Sequence, residues 1–128
     1  MRVTKLFAII LLLSPVLSCG SRPIAISETA TPAEMTQRAQ EASDRNRYGL
    51  SLQYYQAILE RFPRDINNVC AAEYEIAFIH YKQKKYDQAR SEFESLLDRY
   101  NTPDAELLPS QFRTLANIVL AKMNERRK

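Results

Sequence analysis

His80 is the only histidine in the chain, so an imidazole metal site or a Ser-His-Asp relay would have to be built around it. Gln83 and Lys84 occupy its i+3 and i+4 positions, where a second ligand on a helix would sit. Glu73 and Glu75 are two residues apart and face different sides of a helix, so they do not form a carboxylate pair. Gly20 and Gly49, the only two glycines, cannot build a phosphate-cradling loop. With no acid/base pair, nucleophile–base pair or metal set in view, the expectation is a non-enzymatic protein needing neither metal nor cofactor. His80 then reads as a packed histidine. Cys70, beside Ala71 and Ala72, reads as a buried small hydrophobe, with a reactive thiol as the alternative. Lys82, Lys84 and Lys85 cluster where a helix should end, a place its macrodipole reserves for cations. A solvated helix end is the plain reading, and contact with anionic lipid or wall polymer the other.

Cys19 is the residue with the most specific chemistry. Arg2 and Lys5 precede an apolar run, Leu6 to Leu13, too short for the ~20 residues that span a bilayer and suited to a secretory signal. Val16-Leu17-Ser18-Cys19 then resembles the bacterial lipobox, in which a thiol accepts diacylglycerol and a small residue precedes the cleaved bond. That resemblance implies a signal peptide over 1–18 and a mature chain held to a membrane by acyl groups on Cys19, palmitate among them. Gly20 stands where an Asp would resemble an inner-membrane retention signal, which leans the expectation to the outer membrane, facing the periplasm. Without Arg2 and Lys5, 16 basic residues face 15 acidic ones, a net charge of +1, which leaves nucleic-acid binding little electrostatic basis.

Composition says what must position these groups. A chain of 128 residues with two glycines, 45% hydrophobic and 26% charged, is expected to form one helical domain. Residues 19–31 read as the lipidated cysteine and an extended tether, in which Gly20 to Ala30 reaches at most about 40 Å from the bilayer. Thr31-Pro32-Ala33-Glu34 is a capping box with proline at the first helical position. The folded domain is placed at 32–128, with helices over 32–45, 48–62, 69–83, 86–100 and 109–126. Pro63 and Asn101-Thr102-Pro103 end the second and fourth, and Pro109 opens the fifth.

The chain also repeats itself. A shift of 38 lays Ala39 on Ala77, Tyr48 on Tyr86, Ser51 on Ala89, Tyr55 on Phe93 and Phe62 on Tyr100, and a shift of 39 lays Ile76-Ala77 on Leu115-Ala116. Phe112, Leu115, Ala116, Val119 and Met123 form an apolar stripe on the fifth helix. The fold class expected is all-α: antiparallel helix-pair repeats, two of them, plus a closing C-terminal helix.

These positions resemble the tetratricopeptide repeat, a TPR-like α-solenoid. The run Tyr86-Asp87-Gln88-Ala89…Phe93…Leu96-Leu97…Tyr100 resembles the variety found in bacterial envelope lipoproteins of the outer-membrane-assembly and cell-division-coordinator types. The resemblance covers 32–128 and implies that first helices line a concave, peptide-binding face. The candidate groove comprises Tyr74, Phe78, Tyr81 and Lys82, flanked by Thr36, Gln40 and Ser43 on one side and Arg113 and Asn117 on the other. In the plainer alternative, the three aromatics pack against the fifth helix. The implied function is a membrane-anchored adaptor or scaffold module of the cell envelope, binding an envelope protein or peptide. The alternative is a structural lipoprotein that self-associates through its C-terminal helix, with Ile118 and Leu120 as the seam.

Overall fold

The computed structural model describes residues 22–126, and the expected signal peptide over 1–18 and Cys19 lie outside these. Among the described residues five α-helices follow one another: α1 (Pro32–Asp44), α2 (Tyr48–Arg61), α3 (Ile66–Lys82), α4 (Tyr86–Asp98) and α5 (Ser110–Glu125). Short 3₁₀ turns at Arg99–Asn101 and Ala105–Leu107 lie between α4 and α5, and no strand occurs among the described residues. The capping box forms as the sequence requires: Thr31 Oγ1 accepts from the Glu34 amide and Glu34 accepts from the Thr31 amide. The Thr31 amide and hydroxyl, in that order, hold the Glu34 carboxyl below the ordinary carboxylate range. α3 starts at Ile66, three residues before the expected 69, because Asp65 accepts the Asn68 amide at 3.3 Å and caps an earlier turn.

Helices α1 and α2 pack as one hairpin and α3 and α4 as a second. The 38-residue period is written into the backbone as well as the side chains. In the first turn the Asn46 amide donates to Ser43 O and the Arg47 amide to Ala42 O, at 2.9 and 2.8 Å. In the second, Lys84 donates to Tyr81 O and Lys85 to His80 O, at 3.0 and 2.9 Å. Asn46 and Lys84, one period apart, are the non-glycine residues with positive φ among the described residues, at 56° and 63°. A Cβ in that region costs about 1 kcal/mol, which Asn tolerates better than Lys. Lys84→Gly is therefore expected to stabilise the domain by roughly 0.5–1 kcal/mol despite glycine's looser unfolded state. Asn46→Gly should gain less, since it forfeits the bond from the Tyr48 hydroxyl to Asn46 Oδ1. Paired urea melts of the two variants check this.

α3 is shared between two apolar clusters. Ala72 and Ile79 are buried with Met35, Ala39, Tyr55 and Ile58 of the first hairpin, and Ile76 packs on them. Cys70, Tyr74 and Ala77 are buried with Ala89, Phe93 and Leu96 of α4 and with Ala116, Val119 and Met123 of α5. Small Ala39, Ser51, Ala77 and Ala89 are fully buried, where side-chain bulk would hold the helices apart.

The stretch expected to be a free tether is laid along α2. The Ile24 amide donates to Gln53 Oε1 at 2.9 Å, and Gln53 Nε2 donates back to Arg22 O at 3.1 Å. Further on, the Arg61 guanidinium donates to Ser27 O at 2.7 Å and Ile26 O at 3.2 Å, while Ile26 packs on the first cluster. Residues 22–30 therefore add no reach. Arg99, one period after Arg61, instead holds Glu73 through two bonds of 2.7 and 2.6 Å. The corresponding place in the first hairpin is taken by Met35, so Arg61 has no carboxylate there and turns to the strap's carbonyls.

Candidate binding face of the first helices

α1, α3 and α5 stand in sequence as the first helices of successive units, and burial sets the side each turns outward. On α3, Ala72, Ile76 and Ile79 go to the preceding hairpin, and Cys70, Tyr74 and Ala77 to the following elements. The stripe left over is Ala71, Glu75, Phe78 and Lys82, at i, i+4, i+7 and i+11, each half-buried or exposed. One period earlier, α1 offers Gln37, Gln40 and Asp44, all exposed.

α5 obeys a different offset from the one expected. Phe112, Ala116 and Val119 occupy the places of Ala72, Ile76 and Ile79, a shift of 40 residues, not 39. One residue turns a helix by about 100°. Leu115, expected in the packing stripe, is consequently 39% exposed, and Ile118 is 46% exposed. In this register Leu115, Ile118 and Lys122 continue the stripe of Glu75, Phe78 and Lys82. Ile118 and Leu120 lie about 200° apart around the helix, with Leu120 half-buried on the core, so they do not make one seam.

The expected groove residues are thus dispersed. Tyr74 is 7% exposed and belongs to the core, tilted against Phe93 and Phe112 at centroid distances of 5.7 and 5.8 Å. Phe78, half-buried, stacks between Tyr74 and Tyr81 at 5.8 and 5.9 Å and forms an apolar floor. Tyr81 meets Tyr86 and lies under the Arg126 guanidinium. Arg113 stands over the Tyr100 ring at 5.7 Å and Asn117 donates to Arg113 O, placing both on the other side of α5 from Leu115. Gln40 is exposed on α1. Lys82 is held in place: its Nζ donates to Ser43 Oγ at 2.6 Å and lies 5.2 and 5.4 Å from the Tyr48 and Phe78 ring centres. Ser43 is therefore a buried anchor for Lys82, not a wall.

Electrostatics concentrates on the same strip. Burial pushes the Glu75 carboxyl above the ordinary range, and Lys82, two turns along the same face, pulls it partly back. Beneath, the Tyr55 hydroxyl is buried without a hydrogen-bond partner among the described residues. Burial first, then the Glu75 and Asp44 charges, raise its pKa. Since the fold favours protonated Glu75, it binds more protons than the unfolded chain between the ordinary carboxylate pKa and the raised one, and stability falls as pH climbs through that window. Glu75→Gln should melt a few degrees above the parent at pH 7 and together with it in acid below the ordinary carboxylate range, in thermal scans across pH.

His80 is packed, as expected, but with a partner that no local spacing announced: its Nδ1 lies 2.7 Å from Glu92 Oε2, across to α4. Cys70 is fully buried, and burial, reinforced by the Glu73 charge, raises its thiol pKa. That combination makes an inert thiol rather than a nucleophile. Among the described residues no group of three His, Cys, Asp or Glu is placed to hold a metal, and no helix is long and apolar enough to cross a membrane.

No known protein family matches the chain, and no solved structure does. An uncharacterized protein of Treponema pallidum (strain Nichols) is 33% identical over 108 residues, 83% of this chain and 43% of its own length. The chain thus spans less than half of that relative.

Proposed function

We propose that this chain is a lipid-anchored, non-enzymatic adaptor of the bacterial cell envelope, related to the tetratricopeptide-repeat lipoproteins, which binds a peptide or protein segment along its first helices. The signal segment and the lipobox-like Val16-Leu17-Ser18-Cys19 support the anchor, most simply in the outer membrane facing the periplasm. The observation that carries the binding role is the stripe of Phe78, Leu115 and Ile118, left open on stacked first helices beside the fixed cation Lys82. Apolar anchors rimmed by Glu75, Lys82 and Lys122 suit an amphipathic or extended segment.

Affinity capture from cross-linked membranes tests this. A partner recovered with the parent chain should be lost with Phe78→Glu/Ile118→Glu and retained with Arg113→Ala/Asn117→Ala, which touch the opposite side of α5. Equal recovery with both pairs would remove the binding face. Recovery of the chain itself as the partner would replace the adaptor by the self-associating structural lipoprotein. Intact-mass measurement of the membrane-extracted protein reads the acylation of Cys19 directly.

A further inference from the structure

The strap along α2 fixes more than its own place. Arg22 and Ile24 are tied to Gln53, in the first turns of α2, and Ile26 and Ser27 to Arg61, in its last turn. The strap therefore enters the fold at the end where α2 begins. At that end also lie the turn Arg45–Arg47, the turn Gln83–Lys85 and the C-terminus of α5, because the helices alternate in direction. Arg22 lines a shallow surface cavity with Asn46, Arg47 and Tyr48, and Lys84 lines another with Arg90 and Arg126. Lys82 stands over both Tyr48 and Phe78, Phe78 stacks on Tyr81, and Tyr81 meets Tyr86 under Arg126, a chain of contacts running from one cavity to the other.

The charges on this end are of one sign in excess. Arg22, Arg45, Arg47, Lys84, Lys85 and Arg126 are all exposed, against Asp44, Asp87 and Glu125. Yet the described residues hold 14 Lys and Arg for 15 Asp and Glu. The imbalance is therefore one of distribution: Glu34, Glu60, Asp65, Asp98, Asp104 and Glu106 stand at or near the opposite end, where Arg64 and Arg113 are exposed but Arg61 and Arg99 are occupied by the strap and by Glu73. The molecule is polarised along its helices.

We propose that the basic end formed by the two hairpin turns and the end of α5 is a docking surface for the anionic phospholipid headgroups of the bilayer that receives the Cys19 acyl chains. This rests on the lipid-anchor reading above. Three residue steps separate Cys19 from Arg22, a contour of at most about 11 Å. An anchor on so short a lead holds this end at headgroup level, within about a Debye length, where attraction survives screening. The helices then stand on the membrane by their turns, and the stripe of Phe78, Leu115 and Ile118 faces sideways, open to a partner.

The test uses the chain from Cys19 with Cys19→Ser, so that no acyl group contributes, and phosphatidylcholine vesicles with and without phosphatidylglycerol. Co-sedimentation should favour the anionic vesicles by about a hundredfold or more and weaken as salt is raised. Each basic residue lost should weaken partition about fivefold, the equivalent of ~1 kcal/mol. Arg45→Gln/Lys85→Gln, at exposed positions with ordinary backbone, should thus lose about 25-fold. Arg38→Gln/Arg64→Gln, away from this end, should bind as the parent does. Equal partition to both vesicles, or equal loss from both double variants, would overturn the surface. The mass of Cys19 in the membrane-extracted wild type is read separately, so a failed anchor and a failed docking surface give different results.

Discussion

Truncation after Leu108, which removes α5, is expected to abolish the cooperative fold. α5 contributes Ala116, Val119 and Met123 to the second cluster and lays Phe112 across Tyr74. Burying side chains of the size of Phe, Val and Met is worth about 1.5–3 kcal/mol each. Their loss also returns Tyr74 and part of Phe93 to water. The sum exceeds about 5 kcal/mol, comparable to the whole stability of a domain this size. Cys70 supplies the readout, since its thiol is closed to solvent and pushed towards the neutral form by burial. In a Cys19→Ser background the intact chain should react with a thiol reagent only as fast as it opens. The truncated chain should react at the rate of a free thiol and lose its helical circular dichroism. A shortened chain that kept both a protected thiol and a sigmoidal melt would mean that the two hairpins suffice.

The second large effect is at Phe93, which is fully buried between α3, α4 and α5 and touches Tyr74. Phe93→Ala should cost about 3–5 kcal/mol, combining lost transfer energy with a cavity that the surrounding helices cannot fully close. For about 100 residues this lowers Tm by some 15 °C or more. Leu107, 74% exposed on the 3₁₀ turn before α5, is the matched control, and Leu107→Ala should shift Tm by no more than a degree or two. Because α3 contributes to both clusters, the Phe93 variant should melt in a single transition and not hairpin by hairpin. Differential scanning calorimetry distinguishes the two patterns.

Much of this architecture was legible in the residues. The period of 38 reappears as matching backbone turns at Asn46 and Lys84, and Thr31 with Glu34 caps α1 as its spacing demands. What escaped has physical reasons. The link between α4 and α5 holds two 3₁₀ turns, pinned where the Tyr100 hydroxyl donates to Pro109 O at 2.8 Å. It adds a residue that apolar matching alone absorbed into an offset of 39. One residue of register is enough to put Ile118 on the candidate face where Asn117 was expected. Glu92 was invisible as the partner of His80 because the pair forms across two helices, where local spacing carries no signal. The strap had left a trace in the alternation Ile24-Ala25-Ile26, the two-residue period of an extended segment that buries one side.

The direction of that strap has a mechanical side. It runs from Gln53 towards Arg61, so a load applied through its N-terminal side enters at the Arg22 and Ile24 bonds, with Ile26 and the Arg61 pair beyond them. Because the strap runs alongside α2 from its first turns to its last, a pull out of that end lies along it and loads its bonds in shear. Freed from α2, residues 22–30 have a contour of at most about 30 Å, and the point of attachment moves to the start of α1. Load on the lead is thus handed to α2 along most of its length and not to a single bond.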